Sequence, residues 1–263
     1  MLTFVDTHCH LNSKQFDEDL PKIITSSKKA GIAKMIVPGF DMHTSIKAIA
    51  IAEKYKGTCF ATVGIHPYHA SKVHDLLDVR KTMVDLIKHH SVCAIGEVGL
   101  DYHLYTHEEA KGKKEQQKDL LRLEIELAIE YNLPLILHCR SAWDDYIDIL
   151  EYYKKDNIRG VSHCFEGGRF YLEKIISMGI YIGYNGLITF NNRLADILKD
   201  TPLESILLET DSPFLTPEPL RGTKNIPKNI RIIAKFIASI KGISLDTIAS
   251  ITTKNAISLF RLI

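Results

Sequence analysis

The alternation of eight short apolar runs with longer amphipathic stretches constrains the fold of this chain most. The runs are rich in β-branched residues and apolar on both faces, as strands of a buried parallel sheet are. They cover residues 3–8, 34–39, 59–65, 92–98, 133–139, 160–165, 179–185 and 205–211. Helical periodicity predicts helices over 19–31, 45–55, 113–132, 141–153, 171–179 and 228–242, and a further helix pair within 245–260.

This order predicts an α/β protein built as one (β/α)8 TIM barrel over residues 1–263, with C-terminal helices packed on the barrel. About 250 residues is typical of such a barrel, and no Pro/Gly/Ser-rich linker divides the 263 residues. A doubly wound open sheet is the competing fold. The chain has neither G-x-G-x-x-G nor a Walker loop to support it.

The composition excludes few functions, but it indicates the class of protein and its cellular compartment. The formal net charge is +1, so the chain lacks the strongly basic character of many nucleic-acid-binding domains. The five cysteines include no C-x-x-C pair, which argues against a disulfide framework or a zinc ribbon. With no apolar stretch of transmembrane length, we expect a cytoplasmic protein without a membrane segment or an obligate protein partner.

Six potential metal ligands follow or end the predicted strands. Carboxyl ends of barrel strands converge on one face, where active sites form. The six are His8, His10, Glu97, His138, His163 and Asp211. Strand alternation points His8 and His10 to one side and Cys9 to the other. By the same rule Cys139 and Cys164 should point outwards, as buried small hydrophobes.

Four imidazoles and two carboxylates exceed the needs of one tetrahedral zinc. They suit two divalent ions, with Glu97 long enough to bridge them, and the mixed donors favour Zn²⁺, Mn²⁺ or Co²⁺ over Mg²⁺. Each residue alone also has a structural interpretation. A single strand histidine is often a hydrogen-bonded core residue, and Asp211 could cap a helix; the coincidence of six favours the metal site.

Eight short motifs run in order from one end of the chain to the other: DTHCHL (6–11), GIHP (64–67), GEVGLDY (96–102), LHCR (137–140), SHCFEGG (162–168), ETDSPFL (209–215), RGTKNIP (221–227) and NAISLF (255–260). In these motifs the chain resembles the TatD family of metal-dependent deoxyribonucleases, within the amidohydrolase-like barrels. The resemblance implies two divalent ions (Zn, Mn, Mg or Co) and hydrolysis of DNA phosphodiesters, often from the 3′ end. It implies His8, His10, Glu97 and Asp211 at one ion, and Glu97, His138 and His163 at the other.

One loop departs from the family pattern, which usually reads RGKRNEP. Thr223, Lys224 and Ile226 stand where the family has Lys, Arg and Glu. If this loop holds the substrate backbone, a charge and an acceptor are missing, so we expect the change to affect substrate preference or rate and not the metal site.

The hypothesis for the reaction gives Asp211 and Glu97 catalytic roles. Asp211 accepts the proton of the attacking water, and Glu97 bridges the ions. His66, Arg140 and Arg221 are predicted to bind phosphate oxygens, and Glu209 to position a ligand. Structural alternatives stay open: a turn histidine for His66 and a loop ion pair for Arg140.

The expected substrate is DNA, as single strands or 3′ ends. Tyr102, His103 and Tyr105 could stack a base or simply cover the barrel mouth. The basic run 111–114 could touch a phosphate backbone or begin a solvated helix. Two other function classes remain: hydrolysis of an amide or ester bond in another small substrate, and a catalytically silent barrel. The complete ligand set counts against the silent barrel, and fold alone does not choose among chemistries.

Overall fold

The computed structural model describes residues 2–103 and 113–262. Eight parallel strands follow one another around a single sheet in chain order. The strands are β1 (Phe4–Asp6), β2 (Ile32–Val37), β3 (Cys59–Val63), β4 (Val92–Asp101), β5 (Leu135–Arg140), β6 (Gly160–Ser162), β7 (Tyr181–Tyr184) and β8 (Ile206–Leu208). All eight strands fall within or overlap the eight apolar runs, which confirms the predicted order.

The sheet closes because β8 returns to the side of β1. The Thr7 N–H donates to the Leu208 carbonyl at 3.0 Å, and the Asp211 N–H donates to the His8 carbonyl at 2.9 Å. Cys9 and Ser212 form a further parallel bridge. These contacts make the nearly closed barrel that the alternation predicts.

Helices surround the barrel and lie in the gaps between strands. They are α1 (Leu20–Lys29), α2 (Met42–Lys54), α3 (Leu76–Ile87), α4 (Lys114–Glu130), α5 (Trp143–Tyr152), α6 (Arg169–Ser177), α7 (Asn192–Asp200), α8 (Ile230–Lys241) and α9 (Leu245–Phe260). No helix in the described ranges has the length and apolarity to cross a bilayer.

Three helices differ from the sequence-based expectation. Helices α3 and α7 were not predicted, although side-chain oxygens of Asp75 and Asn191 accept backbone N–H groups at their starts, and both residue types are typical N-caps. The helix pair predicted at 245–260 is one continuous helix, because no Gly or Pro interrupts those sixteen residues.

The barrel has a different filling at each end. At the amino-terminal end, inward side chains of six strands pack together with the end of α9: Val5, Ile36, Ala94, Ile136, Val161, Leu207, Ala256, Leu259 and Phe260. Helix α9 therefore plugs this end with apolar side chains. Polar residues lie at the opposite end of the barrel, at the carboxyl termini of the strands.

Candidate metal centre

All six predicted ligands meet at the carboxyl-terminal mouth of the barrel. His8, His10, Glu97 and His163 are buried, while His138 and Asp211 are half-buried. Four of the six lie just beyond a strand, because β1, β6 and β8 end at Asp6, Ser162 and Leu208. Glu97 and His138 lie inside β4 and β5, and the β4–β5 ladder shifts register between Ile95 and Val98.

One oxygen of Glu97 faces the histidine pair of the first strand. Glu97 Oε2 lies 3.4 Å from His8 Nε2 and 3.8 Å from His10 Nε2. The two Nε2 atoms are 3.1 Å apart, and Asp211 Oδ1 lies 3.1 Å from that of His10 and 3.7 Å from that of His8. Four donor atoms thus surround one small volume.

The other oxygen of Glu97 faces a second group of imidazoles. Glu97 Oε1 lies 3.1 Å from His138 Nδ1 and 3.9 Å from His163 Nε2. His66 Nε2 lies 3.5 Å from the same oxygen. Glu97 therefore stands between two donor groups and presents one carboxylate oxygen to each.

His66 differs from the other imidazoles in the bond made by its second nitrogen. Its Nδ1 accepts the N–H of Tyr68 at 3.1 Å. Burial and the neighbouring His138 lower the pKa of His66 to about 3, so the ring is neutral and carries its proton on Nε2. A protonated Nε2 is a hydrogen-bond donor and has no lone pair for a metal.

Two carboxylates behind the mouth set the orientation of two histidines. Glu209 Oε1 lies 2.9 Å from His163 Nδ1, and Asp101 Oδ2 lies 3.2 Å from His138 Nε2. In a neutral ring each contact favours a proton on the outer nitrogen, so the inner nitrogen can offer its lone pair towards Glu97 when a metal ion binds. Carboxylate–imidazole pairs of this kind commonly orient metal ligands.

Glu209 is fully buried, and the surrounding residues hydrogen-bond its carboxylate and leave space for it. Its Oε1 also accepts N–H groups from the Cys164 backbone at 2.7 Å and the Asn185 side chain at 3.2 Å. A Cβ on Gly183 would overlap Glu209 Oε2. Glycine at 183 therefore leaves the space that this carboxylate fills.

Two further carboxylates, Asp101 and Asp6, were not singled out from the sequence. Asp101 is buried, and its Oδ1 accepts the His103 N–H at 2.9 Å. Asp6 accepts the Thr210 N–H at 2.9 Å and the Thr210 hydroxyl at 2.6 Å, which ties β1 to the loop after β8. Burial raises the pKa of Asp6 to about 8. An acidic residue within four positions of a predicted ligand was the available signal for both.

Electrostatics keep the central carboxylates ionised. Burial alone would raise the pKa of Glu97, but His66, His8 and His138 hold it well below the ordinary value. The pKa of Asp211 is likewise lowered against the effect of burial, by a hydrogen bond from His10 and by His163. Burial alone would lower the pKa of His163, but Glu209 raises it to about 10.

This donor set fits divalent cations. Within each of three local groups, the nitrogen or carboxylate oxygen atoms lie within 4.8 Å of one another: His8, His10 and Asp211; His66, Glu97 and His138; and His8, His163 and Glu209. In the second group His66 presents an N–H and not a lone pair. His8 and His10 turn their Nε2 atoms towards each other and towards anionic oxygens. Such mixed nitrogen and oxygen donors, buried together, are typical of Zn²⁺ and related ions.

The cysteines lie as predicted except near strand β6. Cys9 is buried and its thiol donates to the Ile36 carbonyl at 3.4 Å, away from the imidazoles. Cys139 is buried as well. Cys164, expected in the helix layer, follows the end of β6 with a left-handed φ of 47°, so alternation does not apply there. Burial and the carboxylates of Asp211 and Glu209 raise the pKa of its thiol well above the ordinary value.

The predicted substrate contacts lie around the rim. Arg140 is exposed at the last position of β5, level with Asp101 on β4. Arg221 is exposed, and its guanidinium carbon lies 3.7 Å from the centre of the Phe190 ring. Tyr102 donates its hydroxyl to Asp145 at 2.7 Å, and Lys114 covers its ring at 4.5 Å. Tyr105 and residues 111–112 lie outside the described residues.

The unusual loop residues make structural contacts. Lys224 Nζ donates to the Gln15 carbonyl at 2.9 Å and lies 5.3 Å from the centre of the Phe16 ring. The Thr223 hydroxyl donates to the Leu220 carbonyl at 2.8 Å. Ile226 packs half-buried against the core. The departure from RGKRNEP thus anchors the loop to the chain just before α1.

Comparison with known proteins agrees with this geometry. The family model described as TatD related DNase matches residues 5–261. YabD of Bacillus subtilis, described as an uncharacterized metal-dependent hydrolase, is 38% identical over 261 residues, which cover 98% of each chain. The 3′-5′ ssDNA/RNA exonuclease TatD of Erwinia amylovora is 33% identical over 264 residues, covering 98% of this chain and 99% of that protein.

A solved structure gives the same result for the fold. The crystal structure of YJJV, a TatD homolog from Escherichia coli K12, matches with a TM-score of 0.89 and 30% identity, and the match covers 99% of each chain. The eight-stranded barrel, the cluster at its mouth and the match to the family model over residues 5–261 lead to one assignment. The chain belongs to the TatD family of related DNases.

Proposed function

We propose that this chain is a metal-dependent nuclease that hydrolyses DNA phosphodiester bonds and removes nucleotides from the 3′ end. The observation that carries the proposal is the position of Glu97, whose two oxygens face two separate donor groups. A carboxylate between two such groups is suited to bridge two ions, the arrangement that serves in-line displacement at phosphorus.

The proposed ligands divide into two sets. His8, His10, Glu97 and Asp211 would hold one ion, and Glu97, His138 and His163 the other. Divalent ions there would polarise the phosphoryl group and lower the pKa of water. The second nitrogens of His138 and His163 lie 3.2 Å and 2.9 Å from carboxylate oxygens, so each ring would offer its other nitrogen to a metal ion in a fixed direction.

The chain's own residues then supply proton transfer and phosphate binding. We assign the general base to the carboxylate of Asp211, which is ionised and lies beside the proposed ligands, with Oδ1 3.1 Å from His10 Nε2 and 3.7 Å from His8 Nε2. The Nε2–H of His66 would donate to a phosphate oxygen, because its Nδ1 is already occupied by Tyr68. Arg140 and Arg221 would bind further phosphate oxygens from the rim.

The choice of nucleic acid follows from relatives. One relative is named a 3′-5′ ssDNA/RNA exonuclease, which supports single strands or 3′ ends as substrate. We also propose that residues 1–263 act as one domain in the cytoplasm, where its five unbridged cysteines would stay reduced. Hydrolysis of an amide or ester bond in a small metabolite is the alternative activity.

A metal-reconstitution assay tests the proposal. Metal-free protein is given Mg²⁺, Mn²⁺, Zn²⁺ or Co²⁺ and a single-stranded oligonucleotide labelled so that loss of 3′ nucleotides is seen. We expect metal-dependent shortening from the 3′ end that Asp211→Asn reduces by at least about 100-fold, since the variant cannot accept the proton. Activity that survives Asp211→Asn would come from a contaminating nuclease and would overturn the proposal.

A further inference from the structure

Two loops at the barrel mouth carry exposed apolar side chains that the proposed chemistry does not use, beside the proposed phosphate-binding residue Arg221. Nine large hydrophobic side chains are exposed within the described residues. Three of the nine, Phe190, Phe214 and Leu220, belong to the loops after β7 and β8. Exposed apolar groups beside a polar rim commonly mark a binding surface.

Phe214 lies directly beside the candidate metal centre. Its ring centre is 6.1 Å from that of His10, with the rings at 69°, and the residue is 51% exposed. The Phe214 N–H donates to the Asp211 carbonyl at 2.9 Å. An aromatic face is thus offered to solvent three residues after a proposed ligand.

The position of Phe214 is fixed by a buried amide. The Asn225 side-chain N–H groups donate to the carbonyls of Phe214 at 2.6 Å and Thr210 at 2.9 Å. Asn229 donates in turn to the Asn225 side-chain oxygen at 2.9 Å. Because Asn225 is fully buried, the loop holds Phe214 in place before any ligand arrives, which lowers the entropic cost of binding.

Arg221 is prepared in a similar way. Its guanidinium carbon lies over the Phe190 ring at 3.7 Å from the ring centre, and no carboxylate among residues 2–103 and 113–262 pairs with it. Stacking leaves the edge of the guanidinium, with its N–H donors, open for a phosphate. The neighbouring Lys224 is already committed to the Gln15 carbonyl.

The two loops are joined into one support. A Cβ on Gly186 would overlap the Leu215 carbonyl oxygen, so the backbones meet where only glycine fits. The Glu218 N–H donates to the Thr189 hydroxyl at 2.9 Å. Phe214 and the Arg221–Phe190 pair therefore keep a fixed relation to each other and to Asp211.

We propose that these residues form a mouth strip, defined as Phe214, Arg221 and Phe190, that binds the nucleotides next to the scissile phosphate of single-stranded nucleic acid. Phe214 stacks on one unpaired base, and Arg221 binds a backbone phosphate. Every base has a π-face, so the strip accepts any sequence but requires an unpaired strand. This inference rests on the proposed nuclease function and deepens it.

The first test compares Phe214→Ala with a matched control. Tyr152 is 78% exposed and is the last residue of α5, so it lies where that helix returns towards the amino-terminal end of the barrel, opposite the mouth. We expect Phe214→Ala to raise the KM for a single-stranded oligonucleotide by about 5- to 150-fold, the range of one base–aromatic stack, with kcat changed less. Tyr152→Ala should leave both constants unchanged. Phe214→Leu keeps the apolar contact without the π-face, and it should resemble the alanine variant.

A cycle of protein and substrate changes identifies the stacked base. Oligonucleotides carrying one abasic residue at successive positions from the 3′ end are compared on wild type and on Phe214→Ala. At the contacted position, base removal should raise the KM of wild type and have little further effect on the variant. Arg221→Ala should reduce the salt dependence of binding by about one phosphate contact.

The results distinguish failure of the mouth strip from failure of the proposed nuclease function. If wild type degrades single strands but Phe214→Ala matches it, or if base removal and the variant add at every position, the mouth strip is wrong and the nuclease function stands. If wild type neither cleaves nor binds oligonucleotides with any of the metals, the nuclease function fails and the strip fails with it.

Discussion

Replacing Asp101 by Asn should impair the candidate metal centre without removing a proposed ligand. Asp101 Oδ1 accepts the His103 N–H at 2.9 Å, and Oδ2 lies 3.2 Å from His138 Nε2. In the Asp101→Asn variant the amide oxygen would stay with His103, so the amide NH₂ would face His138. A donor there requires Nε2 of His138 to accept, which moves the ring proton to Nδ1.

The size of the effect follows from that exchange. His138 Nδ1 faces Glu97 Oε1 at 3.1 Å, and a proton on Nδ1 blocks the lone pair that a metal would use. Loss of a carboxylate behind a metal-binding histidine typically costs about 10- to 100-fold in metal affinity or activity, or about 1.4–2.7 kcal/mol. We expect the affinity for the second ion, at Glu97, His138 and His163, to fall by this amount, while the affinity for the first ion is nearly unaffected.

Metal titration by calorimetry and the oligonucleotide assay measure the two consequences. Asp145→Asn is the matched control, because Asp145 accepts the Tyr102 hydroxyl at 2.7 Å and is more exposed, outside the metal centre. Both variants should melt cooperatively as folded proteins. The reasoning is refuted if Asp101→Asn binds two ions and cleaves as fast as wild type.

Three further predictions concern the metals and the packing around them. Metal analysis should give two ions per wild-type chain and fewer for Glu97→Gln, and chelation should lower the Tm; two ions in the variant would exclude bridging. Gly183→Ala should destabilise by about 1–3 kcal/mol in denaturant titration, because its Cβ overlaps Glu209. Gly168→Ala has open space and loses only the preference for glycine at the N-cap of α6, so it should cost less, about 0.5 kcal/mol. Burial raises the pKa of the Glu124 carboxyl well above 4.5. The stabilisation of the fold by the protonated carboxyl is therefore fully present below pH 4.5 and is lost as the pH rises. The stability of Glu124→Gln relative to wild type should therefore increase from about pH 5 to about pH 8, by at most about 1.4 kcal/mol per pH unit, and an unchanged difference would contradict this.

Local sequence patterns were sufficient for the barrel and for the membership of the candidate site. Strand identity depends on a local preference for β-branched apolar residues, and parallel strands bring their carboxyl ends to one place. Two helices escaped prediction, although Asp75 and Asn191 cap them. Helix α9 was predicted as a pair, since periodicity alone does not show where one helix stops.

The atoms that face each other could not be derived from the sequence. Strand alternation predicts the direction of a side chain only within a strand. Four of the six proposed ligands lie beyond the end of a strand: His8, His10, His163 and Asp211. Alternation succeeded at Cys9, which bridges to Ser212 in extended backbone, and it failed at Cys164, where the backbone turns left-handed.

The sequence by itself determined which residue types come to the mouth of the barrel, because composition and period fix the strands and their order. Only the tertiary structure decided their roles. It gave the two oxygens of Glu97 to different donor groups, set Asp101 and Glu209 behind two histidines, and bonded the second nitrogen of His66 to Tyr68. These relations join residues distant in the chain and depend on the direction of single side-chain atoms, which no local pattern encodes.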